Sequence, residues 1–315
     1  MTTTGIAHPL DTLRQYVTEL EAAVLLCLDE PDKKPVHRLR TMTRRVEAQI
    51  ALLELLHVPK VYSKEARDAR RLLKKIRRAA GEVRDLDVQQ DKIEEHTPAK
   101  ATSEARQLGK RLAQERKKAA DSLLKTLKKH QAPLSEALES LVKAFNKTGA
   151  FTLTAGQLSA LTLNWFHRNA PAPSDDPDSL HMIRKKAKIA RYLAENAPKE
   201  ARSARRIAEQ FEALQEIGGD WHDWLILSGI ARKQVGESSL LTKAFTQRCA
   251  RTLASYRKRL ATQLPPATHL ATVAERPPAS PPRRGPSVQR SQYPHPTVSR
   301  VEASASDGLQ VLRAG

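Results

Sequence analysis

Two segments of the chain place histidine, arginine and lysine at helical spacing with almost no acid among them. The first reads HRLRTMTRR and carries His37, Arg38, Arg40, Arg44 and Arg45. The second reads HMIRKKAKIARY, begins 144 residues later, and carries His181, Arg184, Lys185, Lys188 and Arg191. At about 100° per residue, His37, Arg40 and Arg44 form one stripe of a helix, nearly opposite Leu39, Met42, Val46, Ile50 and Leu53. In the second segment His181, Arg184 and Lys188 stack on one side, with Ile183, Ala187 and Ala190 towards the other. A guanidinium donates a fork of hydrogen bonds to phosphate oxygens, and an imidazole can add one more. Rows of this composition suit an anion that carries many phosphates.

A charged face opposite an apolar stripe is usually just the solvated side of an amphipathic helix. Such faces mix acids with bases, which adds solubility and pairs at i,i+4. Here they do not. From His37 to Arg45 there is no acid, and from Arg67 to Arg78 only Asp68 stands against seven cations, among them Lys74, Arg77 and Arg78. Further cations follow at Arg106, Lys110, Arg111, Lys117 and Lys118. Like charges one turn apart repel, and a bound anion is the natural compensation.

The elements that must hold these rows are helices. Leu and Ala dominate the apolar residues, Lys, Arg, Glu and Gln are abundant, and aromatics make up only 4%. Amphipathic periods predict helices near 10–29, 35–57, 63–81, 85–95, 99–130, 133–147, 155–169, 177–196, 199–217, 221–235 and 239–263. Pro31, Pro59, Pro98, Pro133, Pro198 and the Gly81, Gly149, Gly218-Gly219 and Gly236 positions punctuate them. After Pro265-Pro266 the chain turns to Pro, Arg and Ser without a hydrophobic period, which predicts a disordered tail over 265–315.

An internal repeat organises the helical part. Beyond the two histidine segments, AAGEVRDLDV with Arg84-Asp85 answers to IGGDWHDWLI with His222-Asp223. Each predicts a helix that ends at glycine, with the basic-Asp pair just past it. The expected architecture is all-α: one helical domain over 10–264, built as two antiparallel bundles (about 10–150 and 151–264) related by pseudo-two-fold symmetry.

The net charge is +19, from 54 Lys and Arg against 35 Asp and Glu. The tail's six Arg and three acids account for +3 of it, so +16 belongs to the helical body. That bias points to a polyanionic partner. Cys27 and Cys249 are far apart and outside any metal-binding spacing, which suits a reducing compartment. No apolar run is long enough for a signal sequence or a membrane span, so a cytoplasmic protein without membrane attachment is expected.

At these residues the chain resembles the CHAD family, the conserved histidine α-helical domain. The family's H-x-L-R-x-x-x-R-R pattern is met by His37, Arg40, Arg44 and Arg45, and its second-half counterpart by His181, Arg184, Lys188, Arg191 and Tyr192. Its L-G-x-x-R-D element is matched by Gly81, Arg84 and Asp85. Its L-Q-x-x-G-x-x-H-D element is matched by Leu214, Gln215, Gly219, His222 and Asp223. The resemblance spans about residues 10–264. It implies two bundles, a basic groove or pore between them, binding of inorganic polyphosphate, and association with polyphosphate granules. Met182 and Ile189 stand where the family often has basic residues, which implies a weaker second half that Lys185 and Lys186 offset. The first helix begins near residue 10, so the CYTH-type catalytic domain that precedes some relatives is not expected.

Other readings are weaker. His222-Asp223 matches the HD dipeptide of metal phosphohydrolases, but the rest of that metal set is not evident. Asp85, Asp87 and Asp91 could hold Mg²⁺, but capping a helix start and pairing with the basic rows is the simpler role. An exposed helical histidine could accept a phosphoryl group, which would not need the many extra cations. Neither catalysis nor a cofactor or metal is therefore expected. Non-specific binding to nucleic-acid phosphates is the serious alternative, although no recognition helix, zinc knuckle or stacking platform is visible.

Overall fold

Leucine and alanine repeats wind nearly all the body into helix. The computed structural model describes residues 6–56, 63–147, 149, 151–198 and 200–263. The first half contains α1 (Pro9–Asp29), α2 (Lys33–Leu55), α3 (Ser63–His96) and α4 (Thr102–Asn146). The second contains α5 (Ala155–Asn169), α6 (Pro177–Ala194), α7 (Arg202–Val235) and α8 (Leu240–Gln263). A two-residue antiparallel pairing joins β1 (Ile6–Ala7) to β2 (Leu153–Thr154), tying the first described residues to the start of the second half.

Local chemistry sets several helix starts. Thr154 caps α5 in a reciprocal capping box with Gln157. Asp176 accepts from the Ser179 N–H at 2.8 Å to start α6, with Pro177 just inside it. The predicted tail lies outside the described residues.

Three predicted breaks are absent. The helices expected at 63–81 and 85–95 are one helix, α3, which runs through Gly81. Those at 199–217 and 221–235 are likewise one helix, α7, through Gly218-Gly219. Pro133 lies inside α4. An interior glycine costs about 1 kcal/mol and a proline about 3. Burial of Leu127, Leu134, Leu138 and Leu141 around Pro133, and of Leu214, Trp221 and Trp224 around the glycine pair, outweighs those costs. Arg84-Asp85 and His222-Asp223 thus sit mid-helix and not beyond a helix end.

Each half has its own core. Leu20, Leu39, Ile50, Leu73, Leu123 and Leu138 belong to the first, and Phe166, Ile183, Phe211, Trp221 and Tyr256 to the second. Two apolar seams join the halves. One packs Leu108 and Leu112 of α4 against Trp224, Leu227 and Phe245. The other packs Ala48 and Leu52 of α2 against Leu158, Tyr192 and Leu193. The polar face of α2 meets α6, and α3 meets α7, in the same joint.

Glycines 109 and 218 provide opposite tests of this packing. A methyl on Gly218 would lie 2.8 Å from the buried Tyr256 ring, whose hydroxyl donates to the Leu180 carbonyl at 3.0 Å. A methyl on Gly109 would meet nothing within 4 Å. Gly218→Ala is expected to destabilise the fold by about 1–3 kcal/mol, and Gly109→Ala to stabilise it by about 0.5–1 kcal/mol. Chemical denaturation of both variants checks the signs.

Candidate functional site

Four helices send their polar stripes into the joint: Arg40 and Arg44 from α2, Arg84 and Asp85 from α3, His181, Arg184, Lys185 and Lys188 from α6, and His222 and Asp223 from α7. They line a groove with two lobes, a narrow one of about 210 Å³ and a wider one of about 390 Å³. Arg40, Arg184, Lys188, Asp85 and His222 border both.

The repeat explains how the arginines reach this position. Arg40 packs beside Gly81, where an added methyl would lie 3.7 Å from Nε. Arg184 packs beside Gly219 in the matching place, 3.9 Å from its NH1 to such a methyl. The glycines that sequence alone marks as helix ends are bare patches of helix over which a guanidinium lies.

The cations are crowded and poorly compensated. Arg40 meets Asp85 at 3.6 Å, and Arg84 meets Asp85 at 3.4 Å and Asp223 at 3.6 Å. Arg44, Lys185 and Lys188 make no ion pair among the described residues. The Nε atoms of Arg40, Arg44 and Arg184 are buried without a protein partner. Burial, then neighbouring guanidinium groups, pushes Arg40 down to about 10. Burial is also the first cause that takes Arg44 down to about 10, with Arg77 and Arg184 adding to it. Lys188 falls furthest, to about 6, through burial and then the charges of Arg44, Arg40, Arg184 and Arg84. Burial raises the Asp223 carboxyl in spite of Arg84 and Arg184 beside it.

His181 and His222 lie against each other at the narrow lobe, with ring centroids 4.2 Å apart and planes tilted by 36°. The Arg184 guanidinium lies 3.4 Å from His181 Nδ1. Burial and Arg184 lower His181 to about 4 and His222 to about 3. His37 is exposed and lines neither lobe, and partial burial of its ring, followed by the charges of Arg84, Arg40 and Lys188, lowers it too.

The other residues singled out in the sequence sit elsewhere. Arg38, Lys74 and Arg78 are exposed and outside both lobes. Arg45 pairs with Glu195 at 3.3 Å and lies over the rings of Tyr16 and Tyr192, so it fastens the two halves. Arg191 binds Glu195 and Glu212, each at 2.7 Å; these bonds outweigh burial and raise its pKa. Arg77 pairs with Glu47 at the groove lip. The three aspartates considered for Mg²⁺ cap nothing: Asp85 faces Arg40 and Arg84, Asp87 holds Arg116 at 2.8 Å, and Asp91 holds Lys33 at 2.5 Å.

Sequence reasoning missed the wide lobe's far wall. There Asp91, Glu95, Glu216 and Asp220 join Asp85 and Asp223, so six acids face five cations. Lys92, held by Asp220 at 2.5 Å and seated 4.4 Å over the Trp224 ring, belongs to it. Gln215 also lines it, with a buried Oε1 that has no protein partner. The spacing of Asp91, Glu95, Glu216 and Asp220 at i,i+4 on two helices was the available signal.

Two helical halves clasping a cationic groove define the class of protein. The chain belongs to the CHAD family: the CHAD domain matches residues 11–232. Among solved structures it is similar to the CHAD domain from the plant Ricinus communis, at 15% identity and a TM-score of 0.58 over 83% of this chain and 94% of that one. It is also similar to PptA from Streptomyces chartreusis, at 13% identity and a TM-score of 0.50 over 81% of this chain and 94% of that one. No curated protein matches it. Among the described residues no helix is long and apolar enough to cross a membrane.

The depressed Lys188 gives a stability prediction with a definite sign. Its folded value of about 6 lies below the ordinary 10.5, so the unfolded chain binds the extra proton between those pH values. Stability therefore rises with pH across that window, and at pH 7 Lys188 is a liability. Lys188→Met should raise Tm at pH 7 by about 2–4 °C for each kcal/mol relieved, and flatten the rise towards alkaline pH. Thermal unfolding across that range checks both.

Proposed function

We propose that the groove binds inorganic polyphosphate and that the protein performs no chemistry on it. One observation carries this reading. Arg40, Arg44, Arg184, Lys185 and Lys188 converge from two helices onto the narrow lobe, where Asp85 is the one acid among the described lining residues. Buried like charges are unfavourable, and a condensed row of phosphates supplies the missing counter-charge along with acceptors for the guanidinium and ammonium N–H groups that face the groove. Membership of the CHAD family supports the same ligand. The recess favours a bare phosphate chain over duplex DNA, whose phosphates lie on a wide rod and cannot reach side chains at its floor. On this reading the protein works in the cytoplasm on polyphosphate granules.

Affinity should fall with salt by about one power of ten in Kd per tenfold salt for each phosphate contact. Replacing Arg40, Arg44, Arg184 and Lys188 together by Gln should weaken binding by about two orders of magnitude or more, with the helical circular dichroism unchanged. Polyphosphate should displace duplex DNA far better than the reverse, and displacement by DNA at equal phosphate would favour the nucleic-acid reading. Incubation with Mg²⁺ should release no orthophosphate, and release lost on Asp85→Asn or Asp223→Asn would overturn the non-catalytic assignment.

Binding should also take up protons. An anion beside Lys188 restores its preference for the charged form, so its pKa climbs from about 6 through neutrality. Calorimetry at pH 7 in buffers of different ionisation heat should show net proton uptake, and Lys188→Met should remove most of it.

A further inference from the structure

The groove is electrically lopsided, and that decides where a long ligand goes. The narrow lobe sets Arg40, Arg44, Arg184, Lys185 and Lys188 against Asp85 alone. At the far wall of the wide lobe an anionic chain would face Asp91, Glu95, Glu216 and Asp220. The narrow lobe's mouth is the favourable way out. Arg77 lines neither lobe and is paired with Glu47; it is the next polar position on α3 after the groove, and its charge is felt by Lys185 and Arg40.

From Arg77 the cations continue around α3. At 100° per residue Lys74, Arg78 and Lys75 follow it in that order over about 160° of the helix surface, ending on the side next to α4. Lys75 there faces α4, where it and Lys129 help hold the His130 pKa down, after burial of the ring. Lys118, Lys125 and Lys129 form a row along α4 at i, i+7 and i+11. Lys74, Lys75, Arg78, Lys125 and Lys129 are exposed. Of these only Arg78 has an ion-pair partner among the described residues, Glu82 at 3.5 Å on a fully solvated side chain.

An ordinary solvated face would intersperse acids. The KKAADSLLKTLKKH stretch of α4 has five lysines and one acid, Asp121. The neighbouring α3 surface offers Glu82 and Asp68, each already beside its own arginine. Repulsion between Lys74 and Arg78 and between Lys125 and Lys129, each at i,i+4, is compensated among the described residues only by Glu82 beside Arg78.

We infer that this α3–α4 ridge is a second polyanion-binding surface, continuous with the groove, that carries the overhang of polyphosphate chains too long for the groove alone. The inference rests on the proposed polyphosphate reading. It recasts Lys74 and Arg78 as ridge residues, and it makes the protein selective for long chains, because the second contact is intramolecular once the first has formed.

The test compares tripolyphosphate, which the groove alone accommodates, with long-chain polyphosphate, using the full chain. The ridge variant replaces Lys74, Lys75, Lys125 and Lys129 by Gln, all on the surface and clear of both lobes. Its long-chain affinity should fall about tenfold at low salt, with a salt slope shallower by about three to four, and its tripolyphosphate affinity should stay at the wild-type value. The Arg40, Arg44, Arg184 and Lys188 variant should lose both ligands. Wild-type long-chain affinity in the ridge variant overturns the ridge while leaving the groove reading intact. An equal loss for both lengths does the same, since it reports only net charge. Loss of duplex DNA binding with long-chain polyphosphate retained would assign the ridge to nucleic acid. If the wild-type chain binds neither phosphate ligand, the groove reading falls and the ridge with it.

Discussion

Mutual repulsion among cations held in the joint between two helical halves is the constraint on which the structure turns. Arg40, Arg44, Arg84 and Arg184 would separate if they were free to do so. They are kept together because each is the polar side of a helix whose other side is buried: Leu39 and Met42 on α2, Leu73 and Ile76 on α3, Ile183 and Ala187 on α6. Two seams, around Trp224 and around Tyr192, then close the joint. Apolar burial of this extent, at about 25 cal/mol per Å², is the force that opposes the electrostatic strain.

The same logic explains which cations are satisfied. Arg45, Arg77 and Arg191 each have a carboxylate, and each holds helices together. Arg44, Lys185 and Lys188 have none among the described residues, and they line the narrow lobe. The arginines of the HRLRTMTRR segment therefore divide by partner: Arg45 fastens the two halves, and its neighbour Arg44 has no carboxylate partner among the described residues.

Much of this was legible in the sequence, for identifiable reasons. Periodicity exposed the apolar stripes, and the repeat of His37–Arg40–Arg44 as His181–Arg184–Lys188 marked the two faces that meet. Helix boundaries were less legible, because Gly81, Gly218 and Pro133 are breakers by intrinsic preference and are overridden by tertiary burial. At Gly81 and Gly219 the missing side chain makes room for a guanidinium, a purpose that only spatial neighbours reveal. Partners were least legible. Arg191–Glu212 and Lys92–Asp220 lie 21 and 128 residues apart, and no local pattern tells a paired cation from a free one. The β1–β2 pairing escaped for the same reason, since two residues carry no period.

The two halves, alike in fold, differ in how firmly their charge is fixed. Where the first copy has Arg44 and Arg84, the second has Lys188 and His222 at the matching positions. Guanidinium groups stay charged even at the lowered value of about 10, so the first wall is cationic at every physiological pH. Burial, followed by Arg44 and Arg40 at Lys188 and by Arg184 at the two histidines, takes Lys188 to about 6, His181 to about 4 and His222 to about 3, so the second wall favours its uncharged forms more than the first. Repulsion across the groove is thereby relieved without loss of the groups that cause it. The titratable residues of the second repeat thus lower the charge that the crowded joint has to hold.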